Sequence, residues 1–105
     1  MGTLCGLGRV FEAIDAERGF QDKKWGTDPE VDGCILPGDN VHAQHTVLSE
    51  EVGEAAEAIL EGDRMGRLRE LVQVAAVSAA IIQFHYTPEE VDTTVRQIMH
   101  ETRCL

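Results

Sequence analysis

The run Leu48-Ser-Glu-Glu-Val-Gly-Glu-Ala-Ala-Glu-Ala-Ile-Leu60, with Arg69-Glu-Leu-Val-Gln73 a short turn later, decides the fold. Residues three and four apart share one face of a helix, so Glu51 stands with Glu54, and Glu70 with Gln73 repeats the spacing. The link around Gly62-Asp63-Arg64 is short, which sets two helices antiparallel and side by side. Counted out from that turn at ~1.5 Å per residue, Glu54 falls level with Gln73. Glu51 and Glu70 then lie within roughly one turn of the opposite pair. Side-chain oxygens from both helices converge, and a cation is expected between them.

Outward from this hairpin, every segment reads as helix. Leu7, Val10, Phe11 and Ile14 repeat at helical spacing, giving a first helix from Leu7 to about Trp25 that Gly26 and Pro29 end. Residues 26–39, rich in Asp, Glu, Gly and Pro, form a loop. Asp39 or Asn40 caps a second helix, whose apolar stripe is Leu48, Val52, Ala55 and Ile59 and which stops at Gly62. A third helix spans about 66–86. Beyond Gln73 it is apolar all round and therefore expected to be buried on every side. Thr87-Pro-Glu-Glu90 is a capping box opening a fourth helix with Val91, Val95, Ile98 and Met99 on one face. With no period-two alternation, the expected fold is all-α: a single domain over residues 1–105, resembling a four-helix bundle around the central antiparallel hairpin.

Composition narrows the partners. A net charge of −10 lacks the basic footprint that a nucleic-acid backbone or an anionic membrane requires. A phosphorylated small molecule stays open if a metal ion carries the positive charge. The three cysteines, Cys5, Cys34 and Cys104, are odd in number and follow no CxxC spacing, as expected of reduced thiols in a cytoplasmic protein. No leader is visible at the N-terminus, and the longest apolar run, residues 74–82, is about half a bilayer span.

Three carboxylates at one site repel strongly, by about 4 kcal/mol per pair ~4 Å apart at an effective dielectric near 20. Glu70 sits on the face of the third helix that also carries Val77 and Ile81, so it must be paired, metal-bound or protonated. An all-oxygen ligand set without well-placed Cys or His suits a hard ion, and Mg²⁺ fits when phosphate oxygens and waters complete its octahedron. Glu50, Glu57 and Glu61 face further round and read as a solvated surface. His42 and His45 project away from Glu51 as exposed helix-start residues. Trp25 is placed either to stack on a nucleobase or to pack at the end of the first helix. The stretch from Asp28 to Asp39 mimics a calcium loop, but its prolines and its Asp in the final ligating position make it an acidic turn.

Three stretches also resemble a known family. Glu50-Glu51-x-x-Glu54 followed across the turn by Glu70 resembles the metal site of MazG-like nucleotide pyrophosphohydrolases, within the all-α NTP pyrophosphatase superfamily. Glu17-Arg18-x-x-Gln21-x-x-Lys24-Trp25-Gly26 and Glu70-Leu-Val-Gln-Val-Ala-Ala-Val77 are similar to further parts of those proteins, and together the likeness covers roughly residues 12–85. The resemblance implies Mg²⁺ held by Glu51, Glu54 and Glu70, with Gln73 where the family has Asp. It implies hydrolysis of a nucleoside triphosphate at the α–β anhydride to a monophosphate and pyrophosphate. Glu51, or Glu50 beside it, would then serve the catalytic water. Arg18, Lys23, Lys24 or Arg69 would meet the phosphates, unless they are plain surface charges. The substitution at Gln73 removes one negative charge and points to weaker metal binding. It leaves a second reading, a non-catalytic helical module that binds nucleotide or a protein partner. Such relatives form dimers or tetramers, and the apolar third helix also calls for a partner subunit.

Overall fold

A computed structural model describes residues 4–25 and 41–104, with backbone alone at 24, 25 and 102–104. The four expected helices are there: α1 (Leu7–Trp25), α2 (Val41–Leu60), α3 (Arg64–His85) and α4 (Pro88–Cys104). No strand occurs among the described residues, so the chain is all-α over them. The reading of 26–40 as a loop, with its caps, its calcium-like stretch and Cys34, lies outside the described residues. No helix is long and apolar enough to cross a membrane.

The hairpin at the centre is built by its turn. Gly62 takes φ 71°, a left-handed conformation open to glycine without steric cost. Its N–H donates to the Ile59 carbonyl at 3.1 Å and the Asp63 N–H to the Ala58 carbonyl at 2.9 Å, the bonding of a Schellman C-terminus. Asp63 then caps α3 by accepting the Gly66 N–H at 2.8 Å. A Cβ on Gly66 would lie 2.1 Å from Asp63 Oδ2, so the tight cap needs glycine there. This cap starts α3 at Arg64, two residues before the sequence expectation. At the far end the capping box forms as expected, Thr87 N–H to Glu90 Oε1 at 3.0 Å and Glu90 N–H to Thr87 Oγ1 at 3.2 Å.

α3 packs on both α2 and α1. The core is narrow: the buried apolar residues are Ala55 and Ala58 on α2 and Ala76, Val77, Ala80 and Ile81 on α3, of which Val77, Ala80 and Ile81 form one cluster with Val47, Leu48 and Phe84 packed against it. The inward stripe of α2 differs from the expected one. It runs through Gln44, Val47, Leu48, Glu51, Ala55 and Ala58, while Val52 and Ile59 stay more than half exposed. Small residues at 55 and 58 admit close helix approach, so the helix turns them inward and Glu51 lies within the stripe.

α1 is likewise rotated. Leu7, Val10 and Phe11 are exposed, and the seam with α3 is made further along. There Arg18 donates through Nε to Gln83 Oε1 at 3.1 Å, through Nη1 to Gln21 Oε1 at 3.1 Å and through Nη2 to Asp22 Oδ1 at 2.8 Å. Gln21 is 2 % exposed, and such a buried amide is tolerated only with its partners in place. Gln44, fully buried in α2, similarly hydrogen-bonds His85 of α3.

Two expectations are corrected here. The chain by itself does not close a four-helix bundle, because α4 packs against none of the other helices among the described residues. Its stripe of Val91, Val95, Ile98 and Met99 is exposed. Nor is α3 buried on every side beyond Gln73, for Val74, Ala75, Ser78 and Ala79 are only half-buried and Ile82 is 47 % exposed.

Candidate metal centre

Helical spacing and the hairpin register bring Glu51, Glu54 and Glu70 together. One carboxylate oxygen from each lies within 4.8 Å of the others, Glu51 and Glu70 half-buried and Glu54 exposed. Gln73, the fourth expected ligand, joins them in a different manner. With Nε2 turned to the cluster, its amide donates to Glu70 Oε2 at 2.8 Å and Glu51 Oε2 at 2.7 Å. The reverse orientation would set Oε1 against carboxylate oxygens, so the hydrogen-bond network assigns the amide nitrogen inward. Gln73 is here a donor bridging two acids, where the sequence reading had made it an oxygen ligand.

The electrostatics are those of crowded acids. Burial is the largest cause pushing the Glu51 carboxyl above its usual range, with the charges of Glu54, Glu17 and Glu50 adding to it and a hydrogen bond from Glu70 opposing. Glu54 is raised chiefly by its hydrogen bond with Glu70 and by that neighbour's charge. Glu70 is raised first by burial and then by Glu51, while hydrogen bonding from Glu54 and the charge of Arg69 pull the other way. All three directions agree: burial and the crowding of like charge favour the protonated forms, and the charge of Arg69 works against this at Glu70.

Glu17 was not anticipated as part of this field. The signal was present, because 10, 14, 17 and 21 fall on one face of α1, and the polar residues Glu17 and Gln21 take the inward positions that the apolar pattern vacates. Glu50 is exposed beside the ligands. Among the expected phosphate contacts, Arg69 acts on the cluster through its charge. Arg18 is committed to the α1–α3 clamp, with its side chain 11 % exposed. Lys23 is exposed, and the side chains of Lys24 and Trp25 lie outside the described residues. His42 and His45 are exposed as expected, and Cys5 is an exposed free thiol.

The donor set fits a hard divalent ion. It offers only oxygens, its spread suits a small coordination shell, and its carboxylates carry the charge such an ion would neutralise. The chain matches no family model, no curated protein and no solved structure.

Proposed function

We propose that this chain is a Mg²⁺-dependent nucleoside triphosphate pyrophosphohydrolase of MazG-like type, active in the cytoplasm as a homo-oligomer. One observation carries the proposal: three carboxylates from two antiparallel helices converge within 4.8 Å, and burial together with their mutual charge pushes all of them toward their protonated forms. Glu51, Glu54 and Glu70 would hold Mg²⁺. When bound, the ion supplies positive charge to the phosphate oxygens and lowers the pKa of a coordinated water.

The chain's own groups do the rest. Glu51 and Glu50 are placed to accept the proton of the attacking water, whose oxygen bonds to the α-phosphorus as the α–β anhydride breaks. Nucleoside monophosphate and pyrophosphate leave. Arg69 contributes positive charge beside the metal ligands, and Trp25 would stack on the base. Gln73 holds Glu51 and Glu70 in register by donating to both.

That same bridge favours a second reading, a helical binding module without catalysis, since it partly satisfies two ligands with no metal present. Incubation with a panel of dNTPs and Mg²⁺ separates the two. Release of pyrophosphate that disappears in Glu51→Gln and Glu70→Gln supports the enzyme. Nucleotide binding by calorimetry without release at high protein concentration supports the module.

A further inference from the structure

The acidic cluster has an open side and a closed side. Toward the hairpin turn, a hollow lined by Glu54, Glu57, Glu61, Asp63 and Glu70 reaches it, so an ion entering there meets Glu54 and Glu70 first. Away from the turn stand Glu51 and Gln73, each about one helical turn further along its helix. Both are half-buried, as is Glu70. On that closed side both N–H groups of the Gln73 amide are engaged by carboxylates, at 2.7 Å to Glu51 Oε2 and 2.8 Å to Glu70 Oε2.

The ionised carboxylate of an Asp offers only acceptors, whichever way it faces. A primary amide offers two donors from one end and an acceptor from the other. A half-turn about its last side-chain bond exchanges Nε2 and Oε1 at nearly the same places. That terminal torsion is broad and roughly two-fold, so the rest of the side chain keeps its rotamer. Nitrogen inward suits three crowded carboxylates, because each N–H bonds one of them. A divalent ion held by the same carboxylates reverses the preference. It repels the N–H end and attracts the carbonyl oxygen, a ligand type that hard ions accept.

Resting on the reading of this site as a metal centre, we infer that the Gln73 amide turns over when the ion binds. Nε2 releases the Oε2 atoms of Glu51 and Glu70, and Oε1 takes its place toward the ion as a neutral ligand. The residue therefore serves two states. With nitrogen inward it sets positive hydrogens between acids that would otherwise repel one another, and keeps Glu51 and Glu70 where the ion needs them. With oxygen inward it adds to the ligand oxygens of Glu51, Glu54 and Glu70. An aspartate could do only the second, and a hydrophobic residue neither. The bridge thus prepares the site for the ion and gives way to it.

Nuclear magnetic resonance on the full, doubly isotope-labelled chain reads both ends of the amide. The Gln73 side chain is assigned through its own Cβ and Cγ, so the reading needs no variant that might fail to fold. Without added metal, donation to two carboxylates should hold the amide protons downfield of the ordinary glutamine range. Saturating Mg²⁺ is expected to return them toward that range and to move the Gln73 Cδ signal downfield, as its oxygen meets the ion. Both shifts should vanish in Glu54→Gln/Glu70→Gln protein that keeps its helical circular dichroism. Mg²⁺ binding seen by calorimetry while the Gln73 signals stay in place overturns this inference and leaves the metal centre standing. Shifts that persist in the double variant also overturn it. If Mg²⁺ does not bind saturably, with or without a nucleoside triphosphate, the metal reading itself fails and the inference falls with it.

Discussion

Gln73 is the residue on which the acidic site turns in the absence of metal. Its amide nitrogen bridges Glu51 and Glu70 and stands where a cation would otherwise be needed. Replacing it by Asp removes two donors and adds a fourth negative charge. The metal-free Gln73→Asp protein should lose about 1–3 kcal/mol by chemical denaturation, and Mg²⁺ should restore more stability to it than to the wild type. Equal Mg²⁺ stabilisation of the two proteins would show that Gln73 plays no part in the charge balance.

The protonation of the same residues gives a pH signature. Burial and like charge hold the carboxyls of Glu51, Glu54 and Glu70 above the usual glutamate range. A carboxyl raised on folding contributes stability below its unfolded pKa and loses it as pH rises through the folded one. The metal-free protein should therefore weaken as pH climbs from about 4.5 through the raised values, relative to a Glu51→Gln/Glu70→Gln variant lacking those charges. Mg²⁺ must displace the retained protons, so its affinity should rise over the same window with protons released. Calorimetry in two buffers of different ionisation enthalpy measures that release directly.

At the scale of helices, the clamp around Arg18 makes a prediction that separates structure from catalysis. Arg18→Ala would take from the buried Gln21 Oε1 the N–H it accepts and loosen α1, at a cost of about 1–3 kcal/mol in thermal or denaturant unfolding. Mg²⁺ binding by Glu54 and Glu70 should survive, because α2 and α3 hold them without α1. Gly66→Ala tests the hairpin itself. The crowding against Asp63 forces the cap open, costing about 1 kcal/mol against the helix propensity that alanine adds. Asp63→Ala, which removes the acceptor of the Gly66 N–H alone, is the companion variant and should lower the melting temperature. An unchanged melting temperature would show that the turn does not depend on that cap.

Helix existence and order were legible because each helix carries its own local signals: Gly62 ending α2, the Thr87–Glu90 box opening α4, and unbroken helical periodicity. The hairpin register was legible too, since a short turn leaves two helices little freedom, and it brought Glu51, Glu54 and Glu70 together from spacing alone. What was not legible is which way each helix rotates. Val52 and Ile59 looked inward by hydrophobicity, yet the alanines at 55 and 58 win because small side chains let α2 and α3 approach closely. Arg18 looked like a surface cation for the same kind of reason. Its use inside depends on Gln21 and Gln83, the latter from a distant helix that no local pattern predicts.

For the whole molecule, the amphipathic face of α4 was read correctly but its packing was not. Amphipathicity states that a helix has something to cover, without stating whether the cover comes from the same chain. Here the described chain leaves the stripe of α4 exposed, and Leu68, Ile82 and Tyr86 of α3 about half exposed. If a second copy covers them, stability becomes linked to protomer concentration, and the melting temperature should rise on going from low to high micromolar protein. A melting temperature independent of concentration would place the missing cover elsewhere.

The account as a whole rests on the three glutamates holding a divalent ion. Titration of the metal-free protein with Mg²⁺ near neutral pH, followed by calorimetry, tests this most directly. Saturable binding, abolished in Glu54→Gln/Glu70→Gln protein that keeps its helical content, is the predicted result. Binding of the same strength in wild type and variant, or no saturable binding with nucleoside triphosphate present, would contradict it.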